Sequence, residues 1–401
     1  MKMKRMKTKQ KIWFGAILLL LGIGIYAGVR VIRARALDRM IGQMILVGFR
    51  GTTPNDAEVK DIAADIRNGK IGGVILFDID VAKAKAAGMS VAETRKQIQS
   101  RNIVDVAQVR VLNAYLQDAA RTGNRPPILI AVDFEGGQIV RLLPEHGFVS
   151  TLPSEKDLAK SDTPEQVDEK FYDVGQSLRD IGFNLDFAPV VDVDINPASP
   201  AIGARGRSFS SDPQRVVAYA HSAADGLARA GVLYAFKHFP GHGSAGADTH
   251  LGLVDTTNTW RPSELAPYRE LAKTDMPGMI LVAHVTNKNL DDTFPASLSP
   301  KIVDGILREQ LGYNGVVISD DLQMRAIYDH YEFRDTLKYA ILAGIDIMLL
   351  NNNDIYTENL GRAAHKEIAD MVRRGEIPRA RIRESYDRII KLKANISANK
   401  I

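Results

Sequence analysis

Residues 44–77 read MILVGFRGTTPNDAEVKDIAADIRNGKIGGVILF. Two short apolar runs, MILVGF (44–49) and GGVILF (72–77), flank a segment with helical spacing. An uninterrupted apolar run of this length marks a strand covered on both faces, the kind that builds parallel sheets. The unit recurs. Further runs are ILIAVD (128–133), LDFAPV (185–190), YAFKHF (234–239), MILVAH (279–284), GVVISD (315–320) and DIMLLN (346–351). Helical spacing returns between them; Gln214 to Ala230, for example, comes after Asp212-Pro213, an N-cap residue with proline at the first helical position. Eight strand-then-helix units predict an α/β fold, a (β/α)8 TIM-type barrel forming one catalytic domain over residues 38–397. A doubly wound open sheet fits less well, given the strand count and the lack of a dinucleotide fingerprint after the first strand. A closing helix, Arg379 to Ser397, would cover the outside of the barrel. Residues 81–102 (VAKAKAAGMSVAETRKQIQSRN) are surplus to the unit. They are polar and helix-prone, and read as an excursion at the C-terminal face, either a lid or a solvated helix.

The 401 residues include 52 basic and 48 acidic ones and no cysteine. That composition excludes a disordered chain, a disulfide scaffold, a thiol enzyme, a Cys-ligated metal centre and a lipoprotein. The net charge of +4 belongs to the N-terminus. Residues 1–36 hold Lys2, Lys4, Arg5, Lys7, Lys9, Lys11, Arg30, Arg33 and Arg35 and no acidic residue, so the rest of the chain is net acidic. Nucleic acid is therefore not an expected partner.

Ile12 to Val29 (IWFGAILLLLGIGIYAGV) is uncharged and largely apolar without a polar stripe. As a helix it would span about 27 Å, close to the hydrocarbon thickness of a bilayer. Residues 1–11 then form a basic cytoplasmic tail and 12–32 a transmembrane signal-anchor contacting membrane lipid. The positive-inside rule places the catalytic domain outside a cytoplasmic membrane crossed once. The rival reading is a cleaved signal peptide with Ala34-Arg35-Ala36 as its processing site, which would give a secreted form.

Catalytic groups of such barrels sit where strands end. Here the third strand ends in Asp133, with Glu135 and Arg141 just beyond; Asp192 and Arg207 come after the fourth; Lys237-His238 end the fifth, His284 the sixth and Asp320-Asp321 the seventh. Charged groups at five successive strand ends are costly to bury unless they pair or bind something. The densest stretch is KHFPGHGSAGADTH (237–250), and four readings of it compete. Gly241-x-Gly243-x-x-Gly246 formally matches a dinucleotide loop, but ADTHLGLVDTTN (247–258) has no helical periodicity, and that loop must open a helix. Ser244 as a nucleophile lacks the flanks of a nucleophile elbow. His238, His242, Asp248 and His250 have the residue types for zinc, but their gaps run through a glycine loop. The fourth reading is a mobile loop carrying an acid–base pair. Asp248 and His250, two residues apart, share one side of an extended segment, where the carboxylate would orient the imidazole and raise its pKa.

Together these motifs resemble glycoside hydrolase family 3, specifically its bacterial β-N-acetylglucosaminidases. The matching pieces are DFEGGQIVR (133–141), GRSF (206–209), KHFPGHG (237–243), DTH (248–250) and SDDLxM (319–324). The resemblance covers about residues 38–395 and implies a family 3 N-terminal-type barrel. It departs from the family at Gln138, where arginine is usual, and just before Arg207. It implies a retaining mechanism with Asp320 as nucleophile, His250 as general acid/base and Asp248 as its orienting partner. Asp133, Arg141, Arg207, Lys237 and His238 match the residues that hold the terminal sugar. No cofactor or metal is implied. On the residues themselves, Asp320 at a rigid strand end suits a group that needs close placement, and a nearby Lys237 would keep it ionised.

The expected function is an exo-acting β-N-acetylhexosaminidase, with a GlcNAc-containing oligosaccharide or muropeptide as substrate. Three alternatives stay open. One is a phosphorylase, since a neutral imidazole repels phosphate less than a carboxylate. Another is a β-glucosidase of the same fold. The third is a non-catalytic carbohydrate-binding protein tethered to the membrane, which would not need Asp320, Asp248 and His250.

Overall fold

A computed structural model describes residues 36–89, 93–94, 100–148, 151–274 and 278–398. The predicted signal-anchor lies outside these residues, and among the described ones no helix is long and apolar enough to cross a membrane.

Eight strands form one parallel sheet: β1 (Ile45–Gly48), β2 (Gly73–Ile75), β3 (Leu129–Val132), β4 (Leu185–Asp186), β5 (Leu233–Phe239), β6 (Gly278–Val282), β7 (Val316–Ser319) and β8 (Met348–Leu350). Each falls on one of the predicted apolar runs. Their side chains are buried throughout except at Gly278, as strands between a filled interior and a layer of helices must be. The spatial order is β7-β6-β5-β4-β3-β2-β1-β8. A single parallel bridge, Ile318 to Ile347, joins the two ends and nearly closes the ring. The architecture is thus an eight-stranded parallel α/β barrel of TIM type. β4 is shorter than the LDFAPV run; beyond Asp186 single hydrogen bonds, from the Phe187 N–H to the Val132 carbonyl at 2.9 Å and from the Ala235 N–H to the Ala188 carbonyl at 3.1 Å, lead on to the Val190–Lys237 bridge.

A helix comes after each strand: α1 (Ala57–Arg67), α2 (Val106–Thr122), α3 (Pro164–Asp180), α4 (Pro213–Arg229), α5 (Ala266–Leu271), α6 (Lys301–Gln310), α7 (Phe333–Ala343) and α8 (Leu360–Arg373). α4 begins as predicted: Asp212 accepts a hydrogen bond from the Gln214 N–H at 3.0 Å, and Pro213 takes the first helical position. Its tight fit against α3 needs glycine, since a Cβ at Gly226 would lie 2.3 Å from the Asp168 carbonyl oxygen.

The last helix, α9 (Arg379–Ala398), is anchored at the lower rim of the barrel. Asp346, which precedes β8 and is fully buried, accepts hydrogen bonds from Arg308, Arg381 and Arg388 at 2.7, 3.0 and 3.0 Å. It also takes the Ser385 hydroxyl at 2.7 Å and the Val317 N–H at 3.0 Å. Lys393 of the same helix is buried and donates to Gln43 Oε1 and the Gly72 carbonyl, both at 2.7 Å.

Candidate active site

At the opposite, C-terminal rim one pocket is lined by side chains from β2 through β8 and their loops. All eight residues singled out in the sequence line it: Asp133, Arg141, Arg207, Lys237, His238, Asp248, His250 and Asp320.

One wall is a ladder of alternating charge. β3 runs into a tight hairpin, Phe134–Gly136 against Ile139–Val140. This hairpin turns Glu135 inward and brings Arg141 back over the pocket. Glu135 is buried and accepts both prongs of the Arg207 guanidinium at 2.7 Å. Lys237 Nζ stands 2.6 Å from its Oε1. Lys237 also reaches Asp133 at 3.5 Å, and Arg141 stands 3.7 Å from Asp133 and 3.7 Å from Asp78. Burial alone would push the Glu135 carboxyl up, but Arg207 and Lys237 hold it well below the usual carboxylate range. Lys237 is raised in turn, because Glu135 and Asp133 outweigh its own desolvation. Gln138 lies exposed at the hairpin turn, away from the pocket lining.

Asp192, completely buried, organises the next section. It accepts from the His238 N–H at 3.3 Å, the His242 N–H at 2.7 Å and His238 Nδ1 at 2.6 Å. Arg207 stands 3.2 Å from His238 Nε2 and can only donate. Nε2 therefore accepts, and the ring proton sits on Nδ1 facing Asp192. His242 is buried with its Nε2 3.4 Å from the Thr249 hydroxyl, and burial pushes its pKa down to about 4.

The glycine-rich loop opens no helix; the next helical turn is Pro262–Leu265, which removes the dinucleotide reading. Gly243 packs so closely that a Cβ would lie 1.8 Å from the Val193 carbonyl oxygen. The Ser244 hydroxyl is buried away from the pocket lining, which removes the serine nucleophile. Among the described residues no group of three His, Asp or Glu side chains could hold a metal ion. Instead His238 is bonded to Asp192, and His250 to Asp248. Asp248 Oδ1 takes His250 Nδ1 at 2.7 Å and the His250 N–H at 3.0 Å, while Oδ2 takes Arg205 at 3.3 Å. The His250 side chain is 62% exposed. Partial desolvation by the surrounding protein would lower its pKa, but Asp248 first, then Asp320 and Asp354, raise it.

Asp320 comes directly after β7, with its N–H on the Val282 carbonyl at 2.9 Å and its Oδ1 accepting the Asp321 N–H at 2.8 Å. Desolvation pushes its carboxyl up; the imidazoles of His284, His238 and His250, with that N–H, bring it below the ordinary value. The sequence alone assigns this task to Lys237. The structure corrects it: the ammonium is engaged by Glu135 and Asp133, which β3 carries into its reach.

Arg205, Asn351, Asn353 and Asp354 also line the pocket without standing out in the sequence, while Glu135, His242 and Asp321 line it although the sequence reading gives them no part in holding the sugar or in catalysis. Glu135 carries a signal, being an acid just past a strand end. NNND (351–354) sits at the equivalent place after β8. Asp321, buried beside the nucleophile candidate, is pushed up to about 7.

Similarity to known proteins agrees with this geometry. A model described as the glycosyl hydrolase family 3 N terminal domain matches residues 36–392. Beta-hexosaminidase LpqI of Mycobacterium tuberculosis (strain ATCC 25618 / H37Rv) is 37% identical over 362 residues, covering 88% of this chain and 81% of that one. The solved structure of M. tuberculosis LpqI superposes with a TM-score of 0.70 at 30% identity, over 89% of this chain and 93% of the other. A family 3 β-N-acetylglucosaminidase from Paenibacillus sp. str. FPU-7 superposes with a TM-score of 0.78 at 31% identity, over 91% of this chain but 63% of that longer one. With the family model spanning nearly all of the barrel and such relatives over most of its length, the chain belongs to glycosyl hydrolase family 3.

Proposed function

We propose that this chain is a retaining exo-β-N-acetylglucosaminidase, removing terminal β-linked GlcNAc from peptidoglycan fragments or chitin-type oligosaccharides. The observation that carries this reading is the pairing of two groups on one pocket. Asp320 is an ionised carboxylate at a rigid strand end, and His250 is an imidazole whose Nδ1 is taken by Asp248 at 2.7 Å. Asp320 attacks the anomeric carbon and forms a glycosyl-enzyme. His250, protonated, gives its proton to the departing oxygen. The neutral imidazole then takes a proton from water, whose oxygen attacks the anomeric carbon and frees the carboxylate. A histidine suits both halves, since an unperturbed imidazole titrates at about 6.5, close to neutrality.

Asp133, Arg141, Arg207, Lys237 and His238 hold the terminal sugar in this reading. Their mutual pairing fixes the side chains before substrate arrives, so little is lost in ordering them on binding. Residues 12–32 anchor the enzyme in the cytoplasmic membrane with the barrel outside. That placement favours wall-derived fragments as substrate.

The test is a time course with aryl β-GlcNAc, aryl β-glucoside and a muropeptide, with and without phosphate, with the anomer formed first read by NMR. The reading expects GlcNAc released with retention and independent of phosphate. A GlcNAc 1-phosphate product would make the enzyme a phosphorylase, and preference for the glucoside would reassign the sugar. Release of a form beginning near residue 37 from washed membranes would replace the anchor by a cleaved signal peptide.

A further inference from the structure

The insertion after β2 is tied to the loop after β8, whose Asn353 and Asp354 line the pocket. Its first helix, Val81–Ala86, is fixed at its start. Asp80 accepts from the Lys83 N–H at 3.1 Å and takes Arg50 at 2.6 and 2.9 Å. The Val81 and Ala82 N–H groups donate to Asn353 Oδ1 and O, at 3.3 and 3.0 Å, and so tie this helix to the loop after β8. From there Lys85 Nζ reaches Asp354 at 2.7 Å. Lys85 is half exposed, whereas the Asp354 side chain is 20% exposed and lines the same pocket as His250 and Asp320.

The charged groups around His250 come from every side. Asp248 is on its own loop, with Arg205 on that carboxylate's other oxygen. Asp320 and Asp321 come from the end of β7, His284 from the end of β6, and Asp354 from the loop after β8. Asp321 Oδ1 already accepts the Gln323 and Asn351 N–H groups, and Asp320 must stay free for the sugar. Asp354 differs in that its partner is a long, half-exposed lysine from another segment. Its charge is the adjustable one.

Resting on the reading that His250 is the proton donor, we propose that Asp354 is a positioning residue for it: the carboxylate favours the protonated imidazole, and Lys85 of the insertion sets how much of that charge the imidazole feels. The insertion then serves catalysis by holding a counter-ion at the pocket rim. An ion pair at a rim is partly screened by water, so a shift in titration is expected and not a loss of activity.

Histidine NMR titration of the detergent-solubilised full chain, with the His250 resonance assigned by its loss in His250→Gln, reads the imidazole without any substrate. Asp354→Asn should lower its pKa by on the order of 0.5 pH unit, because an anion has been removed. Lys85→Gln should raise it by a similar or smaller amount, because a cation has been removed, and Asp354→Glu should keep it near wild type. The alkaline limb of kcat/KM should move in the same directions. An unchanged or raised pKa in Asp354→Asn overturns the role of Asp354; an unchanged or lowered one in Lys85→Gln overturns that of the insertion. If the NMR shifts occur and no GlcNAc glycoside is cleaved, the electrostatic inference stands and the proposed activity falls.

Discussion

Buried charge occurs at both rims of this barrel, in two different states of completion. At the lower rim Asp346 meets three guanidiniums, a hydroxyl and a backbone N–H, all within 3.0 Å. At the upper rim Glu135 is equally well satisfied, but the ladder continues to Asp133 and Arg141 at 3.5–3.7 Å, and those groups face a pocket. A closed cluster stabilises; an open one has hydrogen-bonding capacity left for a ligand. Buried charge alone therefore does not mark a site, and unused capacity beside a cavity does. The division agrees with the general rule that one end of such a barrel serves stability and the other chemistry.

The sharpest test of that contrast is at the upper rim. Asp320→Ala should lose at least about 10^4-fold in turnover of an aryl β-GlcNAc while its thermal unfolding stays near wild type. Substantial remaining turnover would remove Asp320 from the reaction. At the lower rim the reverse is expected. Asp346→Ala strands three arginines and should cost about 3–5 kcal/mol in denaturant unfolding, with kcat of the folded fraction little changed. A large kcat loss there would erase the distinction between the two rims.

His250→Ala should lose about 10^2–10^4-fold on substrates with poor leaving groups. Activated aryl leaving groups need no proton in the first step, so their release should be spared. Equal loss for both kinds would contradict a proton donor. A smaller effect concerns pH. Asp320 is lowered and must be ionised, while His250 is raised and must be protonated. kcat/KM should therefore hold through mildly acidic pH and fall as pH rises through the His250 pKa. Asp248→Asn removes the charge that raises it, so the alkaline limb should move to lower pH. EDTA should change nothing measurable, and strong inhibition would reopen the metal reading of the loop.

Much of this was legible in the chain itself. Buried parallel strands must be apolar on both faces, so eight runs between Met44 and Asn351 stand out without any tertiary information. The Asp248–His250 pair is legible for a similar reason, because residues two apart stay neighbours; the structure joins them in a tight turn, closed by the Leu251 N–H on the Asp248 carbonyl at 2.9 Å, and not along the extended segment the sequence suggests. The pairings of the upper ladder are not local. Glu135 and Arg207 are 72 residues apart, Asp133 and Lys237 104, and Lys85 and Asp354 269.

Residue types at strand ends announce that charges gather at one rim, because strand direction and chain order alone put them there. Which charge answers which is decided by closure of the sheet, which gave Lys237 to Glu135 and set Asp354 on the same pocket as His250. Coulomb energy depends on distance in space and on exclusion of water, and neither quantity exists until the barrel has closed.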